Sequence, residues 1–555
     1  MCFKKQGVRS QKSRSWLGSV LLAMAMAPAG GVAQKFLPDD PIPLDRDDRN
    51  IPAPRRHKLS DYYDFLQNSF GSPGDRRPRT AMNVNTLGET PDSAWFTNRH
   101  GRRRLPIDEL VRGPDRGSGP ADGPWKIVKG KNEGVTPGFR IEDSRGDRYA
   151  IKFDPRGNLE MATSADVIGT KFLHAIGYNV PENYIVYFWP GRLELADDAT
   201  ITDTLGRERR MDRIDIQQVL NRVASVGDGS YRAVASKILP GEDLGPFRYY
   251  GTRPDDPNDV FPHEHRRELR GLRAFSAWLN HDDSRSINTL DMLVTEGGRQ
   301  FVRHHLIDFG SILGSGSVSE QKPRAGNEYV WEAGIAFTRL ATFGLWDRSW
   351  ILMNYPRHPS IGKIEAERFR PELWKPEYPN PAFVNCLPED AYWAAKIVMA
   401  FSDEEIRAVV NTSRISDPRA EDYLIECIRQ RRDKAGRYWL TQVISADNFR
   451  IGAGGLHFED LAVRYGFLKA PPGYVVTWYR YDNARDRKVL LDRPREYAAS
   501  PIPILAEAGQ GRPGEYFSLR LQRRVEENAK IPKAAHLYFR RGAGGLELVG
   551  IERDE

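Results

Sequence analysis

Asn280-His281-Asp282-Asp283-Ser284-Arg285-Ser286-Ile287-Asn288 is the stretch whose reading decides the fold. It is followed by strand-like runs at Thr289–Val294 and Phe301–Ile307, and then by Asp308-Phe309-Gly310. A carboxylate with an Asn five residues later, a strand pair and a second carboxylate form a phosphoryl-transfer layout. In such a layout the first acid orients the attacking hydroxyl, while the Asn and the second acid hold a divalent metal across the phosphates. Each piece alone is unspecific. Asp283 and Asn288 could cap a helix and make a turn, and a three-residue Asp-Phe-Gly recurs by chance. The weight lies in the order of the pieces.

Upstream, the pattern continues in sequence. Trp125–Val128 reads as a strand, and Phe139–Glu142 and Tyr149–Phe153 alternate. The turn-forming cluster Asp143–Asp147 joins the latter two into a β-hairpin. Lys152 sits near the end of its second strand. Ala165–Ile176 carries Val167, Ile168, Phe172, Leu173 and Ile176 on one helical face, with Asp166 at its start and Gly177 at its end. Tyr184–Phe188 is a further strand, and Gly134-Val135-Thr136-Pro137-Gly138 is a short glycine-bearing turn ahead of the hairpin. Pro262 opens a long helix, His263–Leu279. Residues 331–445 are mostly helical, at Asp390–Phe401, Asp403–Val410 and Arg419–Arg437. Past Gly452–Gly455 the pattern becomes short strands between turns, an all-β module over 456–555. Residues 34–124, rich in Pro, Arg, Asp and Gly, read as an extended arm with one short helix over Ser60–Phe70.

In this order the motifs resemble the protein-kinase-like superfamily. His281-Asp282-Asp283 with Asn288 looks like the catalytic loop, and Asp308-Phe309-Gly310 looks like the metal-binding Asp-Phe-Gly. The interval from Asp166 to Gly177, then Tyr178-Asn179-Val180-Pro181, is similar to HipA-type kinases and phosphatidylinositol 3/4-kinases. CotH spore-coat kinases and secretory-pathway casein kinases are related exported examples. The resemblance covers roughly residues 125–440. It implies an α+β, two-lobed fold, with a small β-rich N-lobe over 125–190 and a helical C-lobe over 191–450. The substrate would be ATP, with Mg2+ or Mn2+. Lys152 would bind the α and β phosphates, steadied by Asp166, with Glu160 as a competing partner. Backbone N–H groups at Gly134, Thr136 and Gly138 would cover the phosphates. Tyr187, on the strand Tyr184–Phe188, would belong to the hinge that contacts adenine. Asn288 and Asp308 would hold the metal, and Asp283 would orient the acceptor hydroxyl of a protein or glycan. The chain departs from the pattern in three places: the glycine loop lacks G-x-G-x-x-G, the helix acid is Asp where relatives carry Glu, and no Ala-Pro-Glu follows Asp308.

Other chemistries fit less well. His263, His265, His281, His304 and His305 lie near acids, yet no H-E-x-x-H or paired-cysteine spacing supports zinc. No G-x-S-x-G elbow supports a serine hydrolase. The aromatics of 474–481 read as core in preference to a glycan platform. The alternative of a different class is a non-catalytic scaffold of the cell envelope, since ATP is scarce outside the cytoplasm. Retention of Lys152, Asp283, Asn288 and Asp308 together argues against it.

The chain has 555 residues, 40% of them hydrophobic and 28% charged, which excludes wholesale disorder. Its net charge is +7, but the segment Met1–Ala33 holds Lys4, Lys5, Arg9, Lys12 and Arg14 and no acid, which leaves +2 on the rest. So small an excess gives no electrostatic footprint for nucleic acid. Runs such as Arg102-Arg103-Arg104 read as solvated faces. Met1–Ala33 has the form of an export leader: a basic start from Lys4 to Arg14, an apolar stretch from Trp16 to Ala27, then small residues at Gly31 and Ala33. No later run is long and apolar enough to suggest a stable membrane span. An oxidising compartment permits a bridge between Cys386 and Cys427, although two buried thiols fit the spacing slightly better. The expected location is periplasmic or extracellular. N-terminal sequencing of the exported protein should therefore begin at Gln34, and cytoplasmic protein retaining Met1–Ala33 would contradict the leader.

Overall fold

Alternation builds the first sheet. A computed structural model of the chain describes residues 34–131, 137–202, 207–343, 350, 353–524 and 533–554. The expected leader, and Gly134 and Thr136 of the glycine turn, lie outside the described residues. Strands β1 (Trp125–Lys131), β2 (Gly138–Glu142) and β3 (Arg148–Phe153) bury Ile127, Phe139, Ile141, Tyr149, Ile151 and Phe153 in one core. The hairpin expected over 139–153 is present, with Ile141 opposite Tyr149 and Gly138 opposite Lys152. The sheet continues through β4 (Asn183–Phe188), β5 (Leu193–Thr202), β6 (Glu208–Arg210) and β7 (Tyr231–Lys237). Its spatial order is β4-β7-β3-β2-β1-β5-β6. Residue 190 is therefore not a boundary. Ala199, Ile201, Ala233 and Ala235 join the same core as Phe139 and Phe153, so the sheet runs to Lys237.

Helix α1 (Met161–Ile176) packs beside this sheet and is almost wholly buried. It begins earlier than the expected Ala165, because the Asp154 carboxylate accepts from Thr163 N (2.9 Å) and Thr163 Oγ1 (2.8 Å) and so supports an earlier first turn. Asp166 consequently lies in the second turn. Helix α2 (Arg267–Leu279) likewise starts later than expected, since His263–His265 forms a separate 3-10 turn. On α2 pack α3 (Pro388–Ala400) and α5 (Pro418–Trp439), and α4 (Asp403–Asn411) packs on α5 and α1, with Phe275, Trp278, Trp393, Val409 and Ile428 in the largest core. A three-stranded sheet packs with Ile51 and Ala94 of the arm. It is formed by β8 (Glu242–Gly245), β9 (Thr289–Glu296) and β10 (Arg299–Leu306), in the order β10-β9-β8.

The C-terminal strands begin at Ala446, earlier than residue 456. β11 (Ala446–Gly452) and β12 (Gly455–Asp460) form a hairpin, and Gly452–Gly455 is its turn, not a hinge between regions. Gly454 (φ +83°) and Gly455 (φ +131°) adopt backbone that L side chains rarely do, and a Cβ at Gly455 would meet Ile502 O at 2.0 Å. A six-stranded antiparallel sheet follows: β13 (Tyr474–Asp482), β14 (Arg487–Leu490), β15 (Arg495–Tyr497), β16 (Tyr516–Arg523), β17 (Ala534–Arg541) and β18 (Leu546–Arg553). Tyr474, Trp478 and Tyr481 are buried in it, so these rings are packing groups. Asp447 ties the region to α3, bonding Lys396 at 3.0 Å and Tyr392 OH at 3.0 Å.

The arm is pinned at several points. Phe36 is buried against Tyr481, Tyr516 and Tyr538, with ring centroids 5.0–6.2 Å apart. Asn483 holds its backbone on both sides: Phe36 N donates to Asn483 Oδ1 and Asn483 Nδ2 donates to Phe36 O, each at 2.8 Å. Ile51 packs with Leu244, Leu293 and Val302. The short helix spans Asp61–Leu66, followed by a wider π-type turn at Gln67–Gly71. Among the described residues no helix is long and apolar enough to cross a membrane. Phe36→Ala empties an aromatic pocket, and urea titration of the C-terminal tyrosine fluorescence should show a loss of about 3 kcal/mol. An unchanged midpoint would mean that the arm's first residues are not docked in solution.

Candidate functional site

The site grows from one side chain. Along β3, Ile151 and Phe153 point into the sheet core, so Lys152 points to the opposite face, toward α1. Its Nζ donates to Asp166 Oδ2 at 2.9 Å and to Asp308 Oδ1 at 3.0 Å. Asp166 has two further supports: Asn183 Nδ2 (2.9 Å) and the Phe309 N–H (3.2 Å) both donate to its Oδ1. Asn183 in turn donates to Thr170 Oγ1 at 2.7 Å. Glu160, the rival partner, is committed elsewhere and accepts from Ser416 N and Ser416 Oγ at 2.9 and 3.0 Å. Asp is short for this ion pair, and the close seating of α1 makes up the reach. A Cβ at Gly169, on the same helix, would meet Phe309 Cβ at 2.9 Å, so only glycine lets α1 approach this closely.

Asp308 enters from the base of the β9–β10 hairpin. Beyond the terminal pair Leu306–Thr289, Ile307 N donates to Asn288 O at 3.0 Å, so the ladder sets Asn288 beside the residue preceding Asp308. Asp308 has left-handed backbone, φ 64° and ψ 71°. This turns its side chain, 52% exposed, outward while Phe309 is buried. Asn288 Nδ2 donates to Asp283 O at 2.7 Å, which orients the amide and leaves its oxygen as the atom available to a ligand. Asp283 pairs with Arg285 Nε. Burial raises the Asp283 carboxyl to about 6; Arg285 offsets this, and Glu377 and Asp308 add to it. Burial also pushes Asp282 up, with Asp283 and Glu377 reinforcing the shift, and Asp282 accepts from Gln321 Nε2. His281 is driven down to about 4 by burial, and its Nδ1 lies 3.3 Å from Ser311 O.

Lys152, Asp166, Asp308, Gly138 and Val234 line a cleft of about 440 Å³. Asn288 and Asp283 adjoin it through the hairpin base. Tyr187 does not line it. Strand β4 is the outer edge of the sheet, and the Tyr187 hydroxyl accepts from Arg232 Nη1 at 2.8 Å. The strand beside β3 is β7, with Val234 opposite Lys152, and the chain leaves the sheet after it. Val234, and not Tyr187 or its neighbours on Tyr184–Phe188, is therefore the residue of this part of the sheet that lines the cleft. Arg285, Asn183 and Val234 escaped the sequence reading. Arg285 carries a signal, a cation just after Asp283, whereas Asn183 and Val234 carry none.

The donor set suits a hard divalent cation. Asp166 and Asp308 share one ammonium, Asp283 is near enough to feel the Asp308 charge, and Asn288 and Asp308 offer oxygen ligands. The histidines are otherwise engaged. His304 Nδ1 lies 2.7 Å from Asp291, and His263 Nε2 lies 2.7 Å from Asp259. Among the described residues no cluster of three or more His, Cys, Asp or Glu is placed to hold a metal ion. Cys386 and Cys427 are free thiols, both pushed up to about 12 by burial.

No family model matches the chain, and no curated protein matches it. Similar solved structures include the Golgi casein kinase, at 12% identity over 73% of this chain and 95% of that chain, TM-score 0.30. The same kinase with Mn/ADP bound is 12% identical over 72% and 94%, TM-score 0.28. The Helicobacter pylori proinflammatory kinase CtkA is 11% identical over 59% and 95%, TM-score 0.27. These neighbours are kinases. At such TM-scores the likeness carries no argument, and the functional reading rests on the contacts above.

Lys152 is 28% exposed and Asp166 is 2% exposed, so Lys152→Met strands a buried carboxylate. The expected loss is about 3 kcal/mol at pH 7. Burial already holds the Asp166 carboxyl above its unfolded value with Lys152 present. Without Lys152 the folded protein binds the Asp166 proton still more tightly than the unfolded chain does. The deficit should then be small below about pH 4 and grow as pH rises. Thermal melts from pH 4 to 8 would check this, and a pH-independent deficit would contradict the buried pair.

Proposed function

We propose that this protein is an exported phosphotransferase of two-lobed, protein-kinase-like architecture that uses ATP and Mg2+ or Mn2+. It moves the γ-phosphoryl group to a protein or glycan hydroxyl outside the cytoplasm. The observation that carries this reading is the Lys152 ammonium held between Asp166 of α1 and Asp308 of the β9–β10 hairpin, at the wall of a nucleotide-sized cleft. Lys152 neutralises the α and β phosphates, and Asp166 keeps it aimed. The backbone at Gly138 covers the phosphates. Asn288 and Asp308 would hold the metal, which would neutralise phosphate charge. Asp283, with its carboxyl at about 6, is largely ionised at neutral pH and accepts a hydrogen bond from the acceptor hydroxyl, fixing its line of attack. The C-terminal β-rich module contributes none of these groups. The basic and apolar pattern of Met1–Ala33 supports export.

Asp308→Ala removes a group that acts in the ground state as well as in the transition state, and Asp283→Ala removes one that meets only the acceptor. Calorimetry with a non-hydrolysable ATP analogue and Mn2+ should show binding abolished in the first variant and kept in the second. ATP turnover by Asp283→Ala should fall by ~10²–10⁴. Equal nucleotide affinity in wild type and Asp308→Ala would overturn the catalytic assignment and leave the scaffold reading.

A further inference from the structure

The catalytic loop is not held by its own neighbours alone. The helix Asp61–Leu66 of the N-terminal arm, far away in sequence, lies on it. Arg285 Nη1 contacts Asp61 Oδ2 at 3.0 Å and Oδ1 at 3.2 Å. The same nitrogen lies 3.4 Å from Glu377 Oε2, while Arg285 Nε pairs with Asp283. One turn on, Asp64 is buried and fully engaged. Its Oδ1 accepts from Asn68 Nδ2 (3.0 Å) and from Ser286 Oγ in the loop (3.3 Å), and its Oδ2 accepts from Tyr378 OH (2.7 Å). Residue 377 closes the other side, where Glu377 N donates to Asp282 O at 2.8 Å.

We propose that the arm supplies positioning residues for the acceptor side of the site: Asp61 draws the Arg285 fork away from Asp283, and Asp64 fixes the loop that carries both. This rests on the phosphotransferase reading of Asp283. A guanidinium prefers to grip a carboxylate with two nitrogens at once. Here Asp61 and Glu377 hold Nη1, so Arg285 cannot turn its two terminal nitrogens end-on to Asp283 and meets it through Nε. One edge of Asp283 stays available to a hydroxyl. Without Asp61, Arg285 closes on Asp283 and covers the atoms the acceptor needs. The arm touches neither Lys152 nor Asp308 through these contacts, so nucleotide binding is independent of it.

Asp61 is 50% exposed, so Asp61→Asn preserves the fold. The assay is ATP turnover by the full-length mature chain with Mn2+, read as kcat and KM for ATP, beside calorimetry with the non-hydrolysable analogue. In Asp61→Asn, kcat should fall about tenfold, with KM for ATP and analogue affinity unchanged, and Asp61→Glu should restore most of it. Tyr378→Phe, which frees Asp64 Oδ2, should act in the same direction. Combining Asp61→Asn with Arg285→Gln should cost no more than Arg285→Gln alone, because Asp61 acts through that side chain. Wild-type kcat in Asp61→Asn, or strictly multiplicative losses in the double variant, would overturn the arm's role. Wild-type protein that neither binds the analogue with Mn2+ nor turns over ATP would sink the underlying reading instead.

Discussion

The Lys152 ammonium joins three parts of the chain, two of which also share a core through Ile168, Phe172, Phe309 and Ile312. It comes from a sheet strand, Asp166 from a buried helix, and Asp308 from the end of a hairpin belonging to another sheet. A buried carboxylate such as Asp166 is tolerable only if it is paired and its remaining lone pairs are filled. Asn183 and the Phe309 N–H fill them. The second of those donors immediately follows Asp308, so the bonds that neutralise Asp166 also set the residue that faces the cleft. Stability and geometry are thus one constraint: the helix cannot shift along the sheet without breaking the pair or colliding at Gly169.

Asp166 and Asp308 share the Lys152 ammonium, and the loop Asn280–Asn288 adds two buried carboxyls, Asp282 and Asp283. Burial has already moved both of these upward, Asp283 to about 6. A fold meets such a cost either by protonating the acids or by recruiting a cation. For Asp283 the cation at hand is Arg285, and Asn288 and Asp308 add oxygen atoms of the kind a hard divalent cation takes.

The parts legible in the sequence were those governed by local rules. Hairpin alternation at Phe139–Phe153, the apolar face of α1 and the spacing from Asp283 to Asn288 to Asp308 all express short-range periodicity or fixed motif offsets. What escaped was set by tertiary pairing. Tyr187 fell outside the cleft because β7, which follows β5 and β6 in the chain, inserts between β4 and β3, and nothing near Tyr187 announces that. The C-terminal strands begin at Ala446, ahead of the glycine turn expected to divide the chain, because that turn belongs to a hairpin whose first strand looks like the end of a helical region. Helix α1 starts early because of Asp154, a cap that reaches past the turn before the helix to find Thr163. Asn183 and Arg285 are ordinary polar residues until their partners are placed.

The arm shows why the loop is among the last features such a chain can complete. Tyr378 and Asp64 are 314 residues apart, and Phe36 and Asn483 are 447 apart. Closing loops of that length costs entropy before any contact returns it, so contacts this remote form after the sheets and helices they join. Phe36 must find the C-terminal sheet, and Asp61 and Asp64 must find the loop beside Asp283, with Ile51 pinned between. The arm therefore reads the completion of both distant regions. A chain that lacks the C-terminal sheet loses the Phe36 anchor, but the bonds from Ile51 N to Gln300 O (2.9 Å) and from His57 N to Leu244 O (2.8 Å) still hold the arm ahead of Asp61. The restraint on Arg285 therefore lies with the anchors nearest Asp61, on the β8–β10 sheet, and not with the distant C-terminal strands.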